Sequence, residues 1–294
     1  MSYVEPVVAN TLNAVLGAFM SFGLLMTPQQ FMKGGRYQSP WFSNLPEARQ
    51  DRLYYIAQFM GFLMLGSIVV PTLMYPNSQF LCYQMALIHG TGLLHTLLFW
   101  VTTTYEGAHP TASAGIAQWS AMTLLTVGFF VVTVLACVEE TAAAVDVAET
   151  HISKSTANII MLAFSSIFGV SFVLFPRFLL SAFWTDEEPN SPTHSIFGFK
   201  QLNMSSIEAW WARCVGLAIL SLNLGMAIAR NIDTPVYTAA SLITVTCLSL
   251  HNLHQVTMRP YESISSYQVN VSWIPNICMS FGMAAILASA MIYI

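Results

Sequence analysis

Long apolar runs alternate with short polar stretches along the whole chain. About 20 apolar residues in a helix cross the hydrocarbon core of a bilayer, and each run here reaches that length. The longest polar stretches, Thr27–Arg52 and Thr185–Glu208, are too short to build a soluble domain. The pattern therefore predicts an all-α polytopic membrane protein with about eight transmembrane helices. These are Val7–Met26, Leu53–Tyr75, Phe80–Thr102, Ile116–Val138, Asn158–Trp184, Ala209–Ala229, Val236–Thr257 and Val269–Ile294.

Composition agrees with this pattern. Of the 294 residues, 55% are hydrophobic and only 8% are charged, whereas a soluble domain carries roughly 25% charged residues. An enzyme with a soluble catalytic head is therefore excluded, and no nucleic-acid partner is expected. The first helix is full length, so we expect it to be retained rather than cleaved as a signal peptide.

Matched residues recur at nearly constant spacing in the two halves of the chain. The even number of helices in each half would place both halves in the same orientation, as a parallel repeat. We predict two four-helix units, residues 1–138 and 158–294, joined by an acidic linker over residues 139–157. The matched pairs are Asn10 with Asn158 and Pro28 with Pro176 (148 apart), Gly61 with Gly216 (155), His95 with His251 (156), and Trp119 with Trp273 and Gly128 with Gly282 (154).

Each half resembles the DoxX-like four-helix membrane proteins. The first helix ends near a proline, in "LLMTPQQF" and in "FVLFPRFL", and after a polar stretch the second helix opens with charge and carries a glycine, as in "ARCVGLAIL". The resemblance covers both halves and implies a tandem duplication of a helical bundle. Members of such families serve several roles, so it implies little about function.

Basic residues are distributed unequally between the two sides of the predicted membrane. Lys and Arg near the spans mark the cytoplasmic or matrix side, so both termini should face the lumen, periplasm or intermembrane space. The acidic linker should lie there too. On the terminal side are only Lys154 and Arg230, and on the opposite side are Lys33, Arg36, Arg49, Arg52, Arg177, Lys200, Arg213 and Arg259.

Three histidines are the candidate cofactor-binding residues: His95, His251 and His254. His251 and His254 are three residues apart and share a helix face, which suits a pair of metal ligands, and the matched pair His95 and His251 suits a haem between the halves. However, no carboxylate or paired cysteine stands near them in the predicted spans to complete a metal site. We therefore predict neither a metal site nor a cofactor. The interpretation we favour is structural, because polar side chains inside membranes join helices by hydrogen bonds.

Two classes of function remain open at this stage. The predicted spans carry no charge at mid-membrane and no acid–base constellation, which favours a non-catalytic accessory or scaffold subunit of a large energy-transducing membrane complex. We expect a respiratory complex or supercomplex of the inner mitochondrial membrane, with a photosynthetic complex in the thylakoid, or an endomembrane location, as alternatives. The other class is a binding protein, carrier or enzyme for a quinone, sterol or lipid, which would use a cavity between the halves lined by the three histidines. In either class, membrane lipids and other membrane subunits are the expected partners.

Overall fold

The computed structural model of the chain describes residues 3–28, 47–102, 113–137, 152–184, 195–196, 199–200, 202, 204, 206–229, 234–258, 264 and 266–292. These residues are helical, apart from a two-residue antiparallel pairing of β1 (Ser195–Ile196) with β2 (Phe199–Lys200) and short connections. The helices are α1 (Pro6–Met26), α2 (Glu47–Met64, a π-helical turn at Leu65–Val69, then Val70–Met74), α3 (Gln79–Thr102), α4 (Ser113–Ala136), α5 (Lys154–Leu174), α6 (Pro176–Ser181), α7 (Ser206–Ala229), α8 (Thr234–Met258) and α9 (Ser266–Gln268, a π-helical turn at Val269–Trp273, then Ile274–Ser289).

Six helices in the described part of the chain are long and apolar enough to cross a membrane. Their spans lie in α1, α2, α5, α7, α8 and α9, so the chain is a helical membrane protein, as the sequence predicts. The two predicted spans that are not among these six correspond to α3 and α4. Within α4, the described side chains include an apolar helical segment at Thr123–Ala136.

Prolines decide where two of the helices change geometry. Pro71 and Pro275 are each the second residue after a π-helical turn. A proline inside a helix lacks an N–H, and its ring crowds the carbonyl four residues earlier. A wider turn relieves that crowding without ending the helix.

The fifth predicted helix is shorter than its apolar run. Asn158–Trp184 was predicted as one helix, but α5 ends at Leu174 and a separate short helix begins at Pro176. The residue before a proline is driven out of the helical region, and Phe175 has a non-helical φ of −130°. At its other end α5 begins at Lys154, ahead of the predicted start, because the Ser153 side chain accepts a hydrogen bond from the Thr156 backbone N–H at 3.1 Å.

Helix packing joins the two halves into a common core. In the first half α1 packs on α2 and α3 on α4, and in the second half α5 packs on α7 and α8 on α9. Between the halves, α2 contacts α7 and α8, while α7 also contacts α3. The main apolar cluster accordingly combines Tyr55, Ile56 and Leu63 of α2 with Phe172 and Val215 of the second half. The predicted linker over residues 139–157 lies mostly outside the described residues.

Candidate functional site

His251 lies in the buried interface between the halves. Its side chain is only 5% exposed, and its ring stacks on Tyr55 of α2 with centroids 5.2 Å apart and planes 17° apart. Phe62 covers it at 5.0 Å in a tilted arrangement. The Tyr55 hydroxyl donates to Asn252 Oδ1 at 2.8 Å, which holds this ring in place. Within the described residues, Nε2 of His251 has no hydrogen-bond partner.

His95 has a similar setting on α3. Its ring stacks on Trp210 of α7, with centroids 5.8 Å apart and planes 15° apart. It also interacts with the backbone of Trp210. Each of these two histidines therefore meets an aromatic ring from the other half of the chain.

His254 lies outside this arrangement. It is exposed on α8, although His251 and Asn252 on the same helix are buried. The two histidines therefore differ in burial, because the edge of the buried stripe of α8 falls between them. Among the described residues no group of three or more His, Cys, Asp and Glu side chains lies close enough to hold a metal ion.

An ion pair between the halves is a feature that sequence reasoning missed. Arg52 Nε lies 3.0 Å from Glu208 Oε1, and the two side chains are 4% and 0% exposed. In the sequence, Glu208 resembles one half of a capping box with Ser205, a residue outside the described part of the chain. Arg52 resembles an ordinary charge on the cytoplasmic or matrix side of the membrane. The one signal in the sequence that could have indicated the pair is that α2 and α7, the second long helix of each half, both begin with charged residues.

Polar side chains inside the first half form a connected network. Asn13 Nδ2 donates to Thr133 Oγ1 at 3.0 Å and to the Ala9 carbonyl oxygen at 2.9 Å, while Asn13 Oδ1 lies 2.8 Å from His89 Nε2. These contacts tie α1, α3 and α4 together. Asn13 thus joins helices by hydrogen bonds, and His89, which was not a candidate, takes part.

A cavity of about 100 Å³ lies in the second half. Its walls come from α5, α6, α7, α8 and α9, with Tyr55, Phe59 and Leu63 of α2 closing one side. His95, His251 and His254 do not line it. The cavity borders the first half through these three α2 residues but lacks the histidine lining that the sequence suggested: aromatic and aliphatic side chains dominate it, and polar groups such as Asn252, Asn276 and Ser280 also line it.

The site therefore combines close apolar packing with polar groups of which some, such as Asn13 and Arg52, are paired and others, such as His251 Nε2, have no partner among the described residues. These contacts are ring stacking, hydrogen bonds and an ion pair between helices. Comparisons with family models, curated proteins and solved structures find no match for this chain.

Proposed function

We propose that this chain is a non-catalytic membrane subunit, made of two parallel four-helix units, that acts by packing against other subunits of a larger membrane complex. The observation that carries the proposal is the set of buried contacts between the halves. A buried ion pair and two histidine–aromatic stacks join the halves there.

The tandem repeat is supported by matched contacts. Tyr55 and Trp210 are 155 residues apart, the spacing of Gly61 and Gly216, and each stacks on one member of the matched pair His95 and His251. Exchanging the two halves thus turns one stack into the other. This is the relation expected of two similar units about a pseudo-twofold axis.

Close helix contacts repeat in the same way. A methyl group added to Gly61 would lie 2.9 Å from Leu25 Cγ, and one added to Gly216 would lie 2.8 Å from Phe172 Cβ. Both glycines thus let the second helix of a unit approach the end of the first.

Matched hydrogen bonds also recur. The Cys82 thiol donates to Asn10 Oδ1 at 3.3 Å, and the Thr238 hydroxyl donates to Asn158 Oδ1 at 2.8 Å. Cys82 and Thr238 are 156 residues apart, the spacing of His95 and His251. These contacts support equivalent positions in the two units.

The outer surface supports the proposal that α3 and α4 also span the membrane. Both helices expose large apolar side chains, including Leu94 and Leu97 on α3 and Val127 and Val131 on α4. A soluble protein would hide such surface, whereas lipid tails or neighbouring helices cover it in a membrane.

Gentle purification of the tagged chain from its native membrane tests the function. We expect it to migrate on a native gel with other membrane proteins at a mass well above its own 32.4 kDa, and mass spectrometry then identifies the host. A chain that runs alone at its own mass in several mild detergents would contradict the proposal. The host predicted from the sequence, a mitochondrial respiratory complex, stays a prediction until then, as does the resemblance to DoxX-like proteins.

A further inference from the structure

The cavity in the second half has the chemistry of a hydrocarbon site. Phe164, Phe168 and Phe172 of α5 line it together with Val245 and Leu248 of α8. Transfer of apolar groups into such surroundings is favourable, while an unpaired polar group there costs a few kcal/mol.

Two of the hydroxyl groups that line it, those of Ser165 and Ser280, are already bonded within the protein, whereas Thr244 Oγ1 has no hydrogen-bond partner among the described residues. Ser165 Oγ donates to Met161 O at 2.7 Å and lies 3.0 Å from Asn223 Oδ1. Ser280 Oγ donates to Asn276 Oδ1 at 3.2 Å. These partners leave the two serines with little to offer a strongly polar ligand.

The cavity reaches the surface that faces lipid. Phe164 and Phe168 on α5 and Asn276 on α9 line it and are also partly exposed, and Ile160 and Ile167 on α5 are exposed outright. Both helices belong to the predicted membrane spans. An occupant can therefore enter sideways from the bilayer between α5 and α9.

Its size limits the occupant to a slender group. An apolar cavity of 150 Å³ holds a benzene molecule, so about 100 Å³ accommodates roughly four carbons of a chain. A complete sterol or quinone ring system does not fit such a space.

Two positions of the cavity wall have polar counterparts in the first half. If the proposed repeat holds, Met161 and Val245 at the cavity wall match Asn13 and His89, which hydrogen-bond to each other. Their apolar character is then particular to the second unit, and this comparison alone depends on the repeat.

We propose that this cavity binds the end of a lipid acyl chain, inserted between α5 and α9. The buried wall residues Met161, Phe172 and Leu180 are 5%, 7% and 3% exposed, so bulk lipid cannot reach them. A chain end inside the cavity lies against them.

Photolabelling of the whole chain in phosphatidylcholine nanodiscs tests this, with a diazirine on the terminal carbons of the acyl chain. We expect labelled peptides to carry the tag on Met161, Phe172 or Leu180 as well as on exposed Ile167. Val245→Phe fills the cavity and should reduce labelling of the buried residues to background while Ile167 stays labelled. The matched control Val131→Phe, at an exposed position on α4, should change neither.

Leu248→Phe is the second variant should Val245→Phe not fold, and it is expected to behave in the same way. Labelling confined to exposed residues in the unmodified chain would overturn the proposal. So would labelling of the buried residues that survives both cavity-filling variants. Labelling of those residues by a photoreactive sterol and not by the acyl-chain probe would overturn it in favour of a ring-shaped ligand.

Discussion

The buried charges of Arg52 and Glu208 show how strongly a single residue depends on its partner. Each lies at the start of a helix from a different half, and water reaches neither to any extent. Removing one partner of a buried ion pair takes the opposite charge away from the other and typically costs about 3–5 kcal/mol, whereas replacing both by apolar residues is often neutral.

Glu208→Gln should therefore destabilise the chain by about 3–5 kcal/mol, measured by thermal unfolding in mild detergent with tryptophan fluorescence. The double variant Arg52→Met/Glu208→Met should recover most of that loss. Equal stability of Glu208→Gln and the unmodified chain would show that the pair contributes nothing.

His251, unlike Arg52 and Glu208, makes the contacts described above through the face of its ring and not through a polar atom. His251→Phe keeps a ring between Tyr55 and Phe62 and removes the unbonded Nε2. We expect His251→Phe to be as stable as the unmodified chain, and His251→Ala to lose about 2–4 kcal/mol through lost stacking and an unfilled space.

Thermal unfolding of the two variants, with an optical spectrum and metal analysis of each, decides between a structural and a ligand role. If Phe and Ala at this position are equally damaging, the nitrogen itself is required. A stoichiometric haem or metal lost in both would place His251 in a redox site.

At the scale of helices, glycines determine how closely two neighbouring helices can approach each other. A methyl group added to Gly66 in the π-helical turn of α2 would lie 2.6 Å from both Cα and Oγ1 of Thr244 on α8. The Cα of Thr244 is a backbone atom, and it cannot move aside as the end of a flexible side chain can. The contact between α2 and α8 therefore requires glycine at this position.

Gly66→Ala should push α2 away from α8 and destabilise the chain by about 1–3 kcal/mol. Gly92→Ala and Gly128→Ala are matched controls, because within the described part of the chain nothing lies within 4 Å of a methyl group at either position. They should be neutral or stabilising by up to about 1 kcal/mol, since alanine favours the helix. Midpoints of thermal unfolding for the three variants provide the comparison, and a harmless Gly66→Ala would refute the close approach.

At the scale of the whole molecule, the proposed halves should recognise each other without a covalent link. Their contacts include the buried ion pair and both histidine–aromatic stacks. Fragments divided between Val145 and Asp146 and expressed together should copurify through a tag on one of them. Gly66→Leu in the first fragment should weaken the association, and Gly128→Leu should not. Fragments that purify separately would show that the division between units is misplaced.

The orientation of the molecule is open to a direct test. Eight of the ten Lys and Arg residues lie on the predicted matrix or cytoplasmic side, so both termini should face the other side. A C-terminal tag should therefore resist protease added to the matrix or cytoplasmic face of sealed membranes. Digestion of the tag from that face would reverse the predicted topology.

The sequence alone determined the class of the protein and the approximate positions of its helices. Long apolar runs are a local signal, because a bilayer accepts a backbone only when a helix satisfies its own N–H and C=O groups. The predicted runs overlap all eight long helices of the described chain, and the spans in six of them meet the requirements for crossing a membrane. The break at Phe175 was missed because an apolar run continues through Pro176, although the proline was visible.

Only the tertiary structure decided which side chains meet. Arg52 and Glu208 are 156 residues apart in the chain, and no local pattern reports that two charged helix starts come together. The outward position of His254 and the place of the cavity depend in the same way on how α8 is rotated against its neighbours. Helix periodicity shows which residues share a face, but packing against the other helices determines whether that face is buried, lines a cavity or contacts lipid.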